Sequence, residues 1–330
     1  MHRIALRLAL ATVFIALTVH AEIEITLRNT FIEKFKNRAT IDTKFVVDKA
    51  HKKANAPSKD GDLHVAGRAN EVGLPIVGEI VNAKNFRPAV DAVHNVEGSG
   101  KSIAFNGVWR LWAEHGGSSA QVQGASLKPF NTANPDHVFE IHPATSVDGI
   151  DVLPGFIPIE GYRTKDAAQA FQSYENLSSR ITAGSGTTTI ATRMGGFNYV
   201  EFQIQLNDNP FVINDGLLVM AKVQDLDGEL LVRNRRMVFV KGTPAEAAAR
   251  NLKKGATLHV LGVPRINLAL VSWRTRNAKK RPEVLNWQLP YEMVIVGVYG
   301  PGTEPDEEEE DIAAAEVLDG GGASAEGLER

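Results

Sequence analysis

Tyr199-Val200-Glu201-Phe202-Gln203-Ile204-Gln205-Leu206 alternates without interruption, with Val200, Phe202, Ile204 and Leu206 on one side and Glu201, Gln203 and Gln205 on the other. A period of two is what a strand with one buried face requires. Working outward, Leu217 to Gln224 and Glu229 to Val240 have the same character and flank Asp225-Leu226-Asp227-Gly228, a hairpin-type turn. Thr243-Pro244-Ala245-Glu246 then starts a helix, with a capping hydroxyl, proline at the first helical position and an acid in the first turn. That helix stops at Gly255. Thr257 to Val263 and Arg265 to Ser272 read as a strand pair broken by Pro264, and Leu289 to Tyr299 as the closing strand.

Three strands, a helix and two strands is the order of an OB-fold, a five-stranded Greek-key barrel. Leu252-Lys253-Lys254-Gly255-Ala256-Thr257-Leu258-His259-Val260-Leu261-Gly262 resembles the helix-to-fourth-strand segment of such domains. The first half carries strands at 39–48, 62–68, 74–82, 101–114 and 137–147, with a bulge expected near Gly107. Residues 51–61 read as a loop and 88–97 as a short helix. Strands at this spacing suit a small closed barrel better than a βαβ sheet. Gly61-Asp62-Leu63-His64, Pro75-Ile76-Val77-Gly78-Glu79-Ile80 and His137-Val138-Phe139-Glu140-Ile141-His142-Pro143 resemble a group of small exported bacterial domains with a GD-hydrophobic-H … EI … EIHP pattern. The resemblance spans roughly residues 39 to 150. It implies an OB-like fold and export; the group's function is largely unassigned, so it implies little chemistry.

The expected architecture is mainly β: two OB-like Greek-key barrels in tandem with few short helices. The first domain runs over 22–153 and the second over 187–303. Between them a linker, 154–186, begins with a Pro/Gly-rich joint and holds the best helix, Lys165 to Ser179. Arg3 and Arg7 precede an apolar run, Leu8 to Val19, and Val19-His20-Ala21 is a small-x-Ala exit. Residues 1–21 thus read as a signal peptide, placing the chain in a periplasm or outside the cell. No segment is long and apolar enough to span a bilayer. The chain has no cysteine, which excludes disulfides, thiolate metal sites and cysteine catalysis.

Charge is unevenly spread. Residues 304–330 hold eleven acids and one base, whereas 22–303 carry 33 Lys plus Arg against 28 Asp plus Glu. Such an acidic, Gly-rich tail cannot bury enough apolar surface to fold and is expected to be disordered. The body is mildly basic.

Two constellations could carry function. Asp62 and His64 share one strand face, as do Glu140 and His142; with Glu79 they form a candidate divalent-metal set of nitrogen and oxygen ligands. In catalytic terms His64, Glu140 and His142 are the acid–base candidates, and Arg68 and Lys101 could neutralise phosphate. The same pairs could instead hydrogen-bond one another and hold a barrel shut. Gly98-Ser99-Gly100-Lys101-Ser102 ends like a P-loop but lacks the first glycine at the needed spacing, and reads as a turn. The second constellation is Trp273-Arg274-Thr275-Arg276-Asn277-Ala278-Lys279-Lys280-Arg281, near Trp287 and in the loop joining strands four and five. Trp273, Arg274, Arg276, Lys279, Lys280 and Arg281 are the candidate ligand-binding residues, because cations interleaved with indoles suit a polyanion. The alternative is a solvated basic loop with both tryptophans in the core. The leading expectation is a non-enzymatic exported protein, without cofactor, that binds an anionic polymer (nucleic acid or glycan) or an envelope protein partner. The competing one is a metal-assisted phosphodiesterase or nuclease centred on His64 and His142.

Overall fold

Residues 22–117, 120–159, 161–278 and 283–300 are described by the computed structural model. The expected signal peptide and acidic tail lie outside the described residues. Lys44–Ala50, Leu63–Arg68, Ile76–Ile80, Ser102–His115 and His137–Val147 are strands one to five of the first barrel. The first three pair antiparallel in sequence order. The third then pairs parallel with the fifth, the fifth antiparallel with the fourth, and the fourth returns to the first. The sheet therefore closes. Its bulge falls at Asn106/Gly107, as the broken alternation predicts. The helix Arg87–Val96 lies between strands three and four in the chain.

The second barrel repeats this topology with Val200–Leu206, Gly216–Gln224, Leu230–Val240, Thr257–Ile266 and Tyr291–Val298. Its third and fifth strands are again parallel, and its first strand pairs with both the second and the fourth. The helix Pro244–Ala249 starts where the sequence says it should, Thr243 Oγ1 accepting a hydrogen bond from the Glu246 amide at 3.1 Å. The expectation of two tandem OB-like barrels is met.

Inside the first barrel the rings of Phe45 and Phe105 lie 5.1 Å apart, both fully buried. Gly78 makes room for them: a Cβ there would sit 2.6 Å from the Phe105 ring. On the outside, Val81 and Val108 of the first barrel form one cluster with Val238, Val240, Leu261, Val263, Val294 and Val296 of the second. The barrels thus pack through their outer faces. Their fifth strands are consequently buried on both sides; in the second barrel this strand reads as a nearly continuous apolar run, whereas in the first it carries buried Glu140 and His142.

A third, open sheet was not expected. Glu283–Gln288, Ser178–Ala183, Thr187–Thr192, Ile23–Arg28 and Gln121–Val122 lie side by side in that order, drawn from distant parts of the chain. The helix expected over 165–179 is shorter, Ala167–Glu175, with Asp166 capping the Gln169 amide at 2.7 Å. Ser178–Ala183 and Thr187–Thr192 form a hairpin around Gly184-Ser185-Gly186, across the expected border between linker and second domain. Residues 187–192 therefore belong to this sheet rather than to a barrel. The expected strand pair around Pro264 is also corrected. Pro264 sits within the fourth strand, opposite Met293, and Leu268–Arg274 is a helix capped by Asn267, whose side chain accepts from the Leu270 amide at 2.9 Å. No described helix is long and apolar enough to cross a membrane.

Candidate functional site

Strand alternation points Ile76, Ile80, Phe139 and Ile141 into the first barrel's core, and Glu79, Arg110, Glu140 and His142 onto the face that meets the second barrel. Register brings them together: Glu140 lies opposite Arg110 on one side and Val77 on the other, and Glu79 opposite His64. His142 is at the centre. Its Nδ1 lies 3.0 Å from Glu79 Oε2 and 3.2 Å from Glu140 Oε2. Its Nε2 is 2.6 Å from the hydroxyl of Tyr199, which donates to Asp62 Oδ2 at 2.9 Å. Tyr199 comes from the second barrel and adopts a positive φ of 40° to reach this position. Arg110, also wholly buried, pairs with Glu140 and Glu114 and donates to the Pro264 carbonyl across the interface at 3.0 Å.

The electrostatics follow from this packing. Burial disfavours a charged His142, but Glu79 and Glu140 outweigh it and hold the imidazole's pKa well above its ordinary value. Burial likewise opposes ionisation of Glu79, yet the charges of His142 and His64 bring it down to about 2. Arg110 and the histidines overcome burial at Glu140 and hold it well below the carboxylate range. Asp62 differs: burial and the nearby Glu79 charge push its pKa well up. An imidazolium with both N–H groups donating, to a carboxylate at Nδ1 and to Tyr199 at Nε2, satisfies this pattern. The Tyr199 proton is then directed at Asp62.

All five candidate metal ligands gather in one region. Asp62, Glu79 and His142 have ligand atoms within 4.8 Å of one another. Glu140 touches His142, and His64 Nε2 is 3.8 Å from Glu79 Oε1. His64 stacks on His51 with ring centroids 4.9 Å apart and is the more accessible of the two candidate histidines. The donor types suit a divalent cation. However, the Tyr199 hydroxyl stands between His142 Nε2 and Asp62 Oδ2, where an ion joining those atoms would sit. A metal would have to displace both that hydroxyl and a tightly held proton. What the geometry does most directly is fasten one barrel to the other. Sequence reasoning missed Arg110, Tyr199 and His137, whose Nε2 lies 3.3 Å from Glu140. A single arginine inside Trp109-Arg110-Leu111-Trp112 was the available signal, since a charge in an apolar strand must find a partner. Nothing local marked Tyr199.

The basic–aromatic run is not a free loop. Its first two residues, Trp273 and Arg274, end the helix Leu268–Arg274, which packs on the helix Asn29–Phe35, and the nearby Trp287 lies on the edge strand Glu283–Gln288. Trp273 is 59% exposed and Trp287 41%, so neither is a core residue. Arg276 lies 4.1 Å over the Trp273 ring and Arg274 lies 4.5 Å over Trp287. Lys279, Lys280 and Arg281 lie outside the described residues. Arg180, Arg193, Ser178 and Asn286 line a groove with Trp287 and Glu22. Arg235 and Arg236 are engaged structurally, by Glu175 and Glu292. Residues 98–101 follow the C-terminal end of the helix Arg87–Val96, the end that repels phosphate. Arg68 is held bidentate by Asp48.

No family model matches this chain, and no curated protein does. A solved structure described as "Structural mimicry for functional antagonism" aligns with 71% of this chain and 90% of its own, at 13% identity and a TM-score of 0.18. That likeness is too slight to carry any inference about fold or function.

Proposed function

We propose that this is an exported, non-enzymatic binding protein that holds an anionic polymer, a nucleic-acid strand or an acidic glycan, along the arm between strands four and five of its second barrel. The observation that carries the reading is the pair of exposed indoles, Trp273 and Trp287, each covered on one side by a guanidinium. Rings of this size are usually buried when nothing binds them. Stacking by arginine fixes each ring and adds positive charge beside the surface on which a base or sugar would lie. The basic balance of residues 22–303 points the same way.

Tryptophan fluorescence titration with oligothymidylate and with polygalacturonate tests this. Binding should weaken steeply with salt, and neutralising Arg274, Arg276, Lys279, Lys280 and Arg281 together should abolish it. Trp287→Ala should cost about 1–3 kcal/mol of affinity. Absence of salt-sensitive binding to either polymer would sink the proposal and favour an envelope protein as the partner of this arm.

A second reading, a metal-assisted phosphodiesterase centred on His64 and His142, draws on the Asp62, Glu79 and His142 grouping. It requires hydrolysis of a phosphodiester in the presence of Mn²⁺, lost on chelation and in His64→Ala while the fold persists. If the histidines serve structure, the same substitution lowers the melting temperature and no hydrolysis is seen.

A further inference from the structure

A different face of the first barrel carries a groove that neither reading uses. Three segments form it: the end of Ile23–Arg28, the turn at 69–73 after the second strand, and the loop 123–127. They are tied together by backbone and side-chain bonds. The Gln123 amide donates to Thr26 O at 2.9 Å, and Gln123 Oε1 accepts from the Arg28 amide at 2.8 Å. Gln123 Nε2 donates to Val72 O at 2.7 Å, and the Gly124 amide to Gly73 O at 2.7 Å. Asp48 holds two groups with one carboxylate: Arg68 through bonds of 2.8 and 2.7 Å, and the Phe130 amide at 3.3 Å beyond the loop. The groove is therefore pre-formed, and binding there requires little ordering.

Its lining is cationic. Arg28 and Arg68 both face it and no acidic residue lines it. Arg68 is oriented by Asp48, which leaves one guanidinium nitrogen, Nη1, outside that pair. Among the described residues no carboxylate pairs with Arg28. The guanidinium of Arg28 passes over Gly124, where a Cβ would lie 2.4 Å from Nη2; Gly124 also adopts a φ of 89°. Glycine there is what lets the arginine reach the groove. Asn70 adds an amide to the lining. The space, about 410 Å³, suits a small molecule and not a folded partner.

We infer that this groove binds a small molecule through an oxyanion, a phosphate or a carboxylate, held by Arg28 and Arg68. Guanidinium forks recognise both groups. The test is calorimetric titration of the full chain with inorganic phosphate and, separately, with succinate, chloride being used to keep ionic strength constant. One equivalent should bind, and Arg28→Gln should weaken it by about tenfold or more. The double variant Arg274→Gln/Arg276→Gln should bind the small anion as the parent does, which separates this site from the polymer-binding arm. Tighter binding of phosphate identifies a phosphoryl ligand, and tighter binding of succinate a carboxylate ligand. No saturable binding of either up to about 10 mM, or unchanged affinity in Arg28→Gln, would overturn the inference.

Discussion

Tyr199 brings one hydroxyl from the second barrel into a wholly buried polar cluster of the first, where it accepts from His142 and donates to Asp62. Tyr199→Phe keeps the ring and removes both bonds, leaving two buried groups unpaired. It should destabilise the protein by about 1–3 kcal/mol in urea denaturation. The cluster also sets a pH dependence. Glu79 is held at about 2 against an ordinary 4.5, so its contribution is present above that ordinary value and fades as pH falls toward 2. His142 has a raised pKa, so its contribution is complete below an ordinary 6.5 and fades as pH rises through the folded value. Both operate together between about pH 4.5 and 6.5. Asp62, raised by burial, works against Glu79 on the acid side. Glu79→Gln should therefore cost most stability in the shared window, and its loss relative to the parent should shrink by about pH 3, where the carboxylate of the unfolded parent is already protonated. A difference that stays constant from about pH 3 to 6 would contradict this assignment. Four of the polar residues were visible in the sequence because period-two spacing places Asp62 with His64 and Glu140 with His142. Tyr199 was not, because its partners are 57 and 137 residues away.

Elements were legible where local chemistry alone defines them. Thr243-Pro244 marks a helix start regardless of tertiary context, and the alternation of Val200 to Leu206 marks a strand. The failures have a common cause in competing local signals. Pro264 looked like a strand breaker, yet its missing N–H does not prevent its place in the ladder, and the Asn267 cap two residues before Ala269 was overlooked. Ile23, Ile25 and Leu27 alternate with Glu24, Thr26 and Arg28, but the apolar run 8–19 just before them blurs that period. The second and third strands of the second barrel meet at a close backbone approach, Gly216 lying opposite Val240. A Cβ at Gly216 would lie 1.9 Å from the Phe239 carbonyl oxygen, a backbone atom with no freedom to withdraw. At Gly78 the obstruction is an aromatic ring, which can shift. Gly78→Ala should cost about 1–3 kcal/mol by overpacking. Gly216→Ala should cost more and separate the second and third strands, visible as a lower melting temperature and faster amide exchange in Leu217 to Val219.

For the molecule as a whole, the two barrels share a buried seam, so they are not independent modules. Arg110 and Glu140 are matched on one side of it, and on the other Arg265 pairs with Glu292 and donates to Trp109 O. A fragment ending near residue 153 would present Val81, Val108 and these buried charges to water. Residues 22–153 and 154–303 expressed separately should each be poorly soluble or molten, whereas their co-expression should restore cooperative unfolding. Two well-folded, soluble fragments would show that the seam is dispensable. Two barrels could be inferred from sequence because each is encoded in one continuous run of strands. The open sheet could not, since its strands come from segments that local pattern does not connect.

That open sheet also has a consequence for biosynthesis. Thr26 hydrogen-bonds to Thr189, 163 residues downstream, and its sheet is completed only by residues 283–288. Strand Ile23–Arg28 must therefore wait for its antiparallel neighbour until more than half of the polypeptide has followed it. A holdase that keeps nascent chains extended would protect this protein during its synthesis, and premature release would strand its first residues without a neighbour.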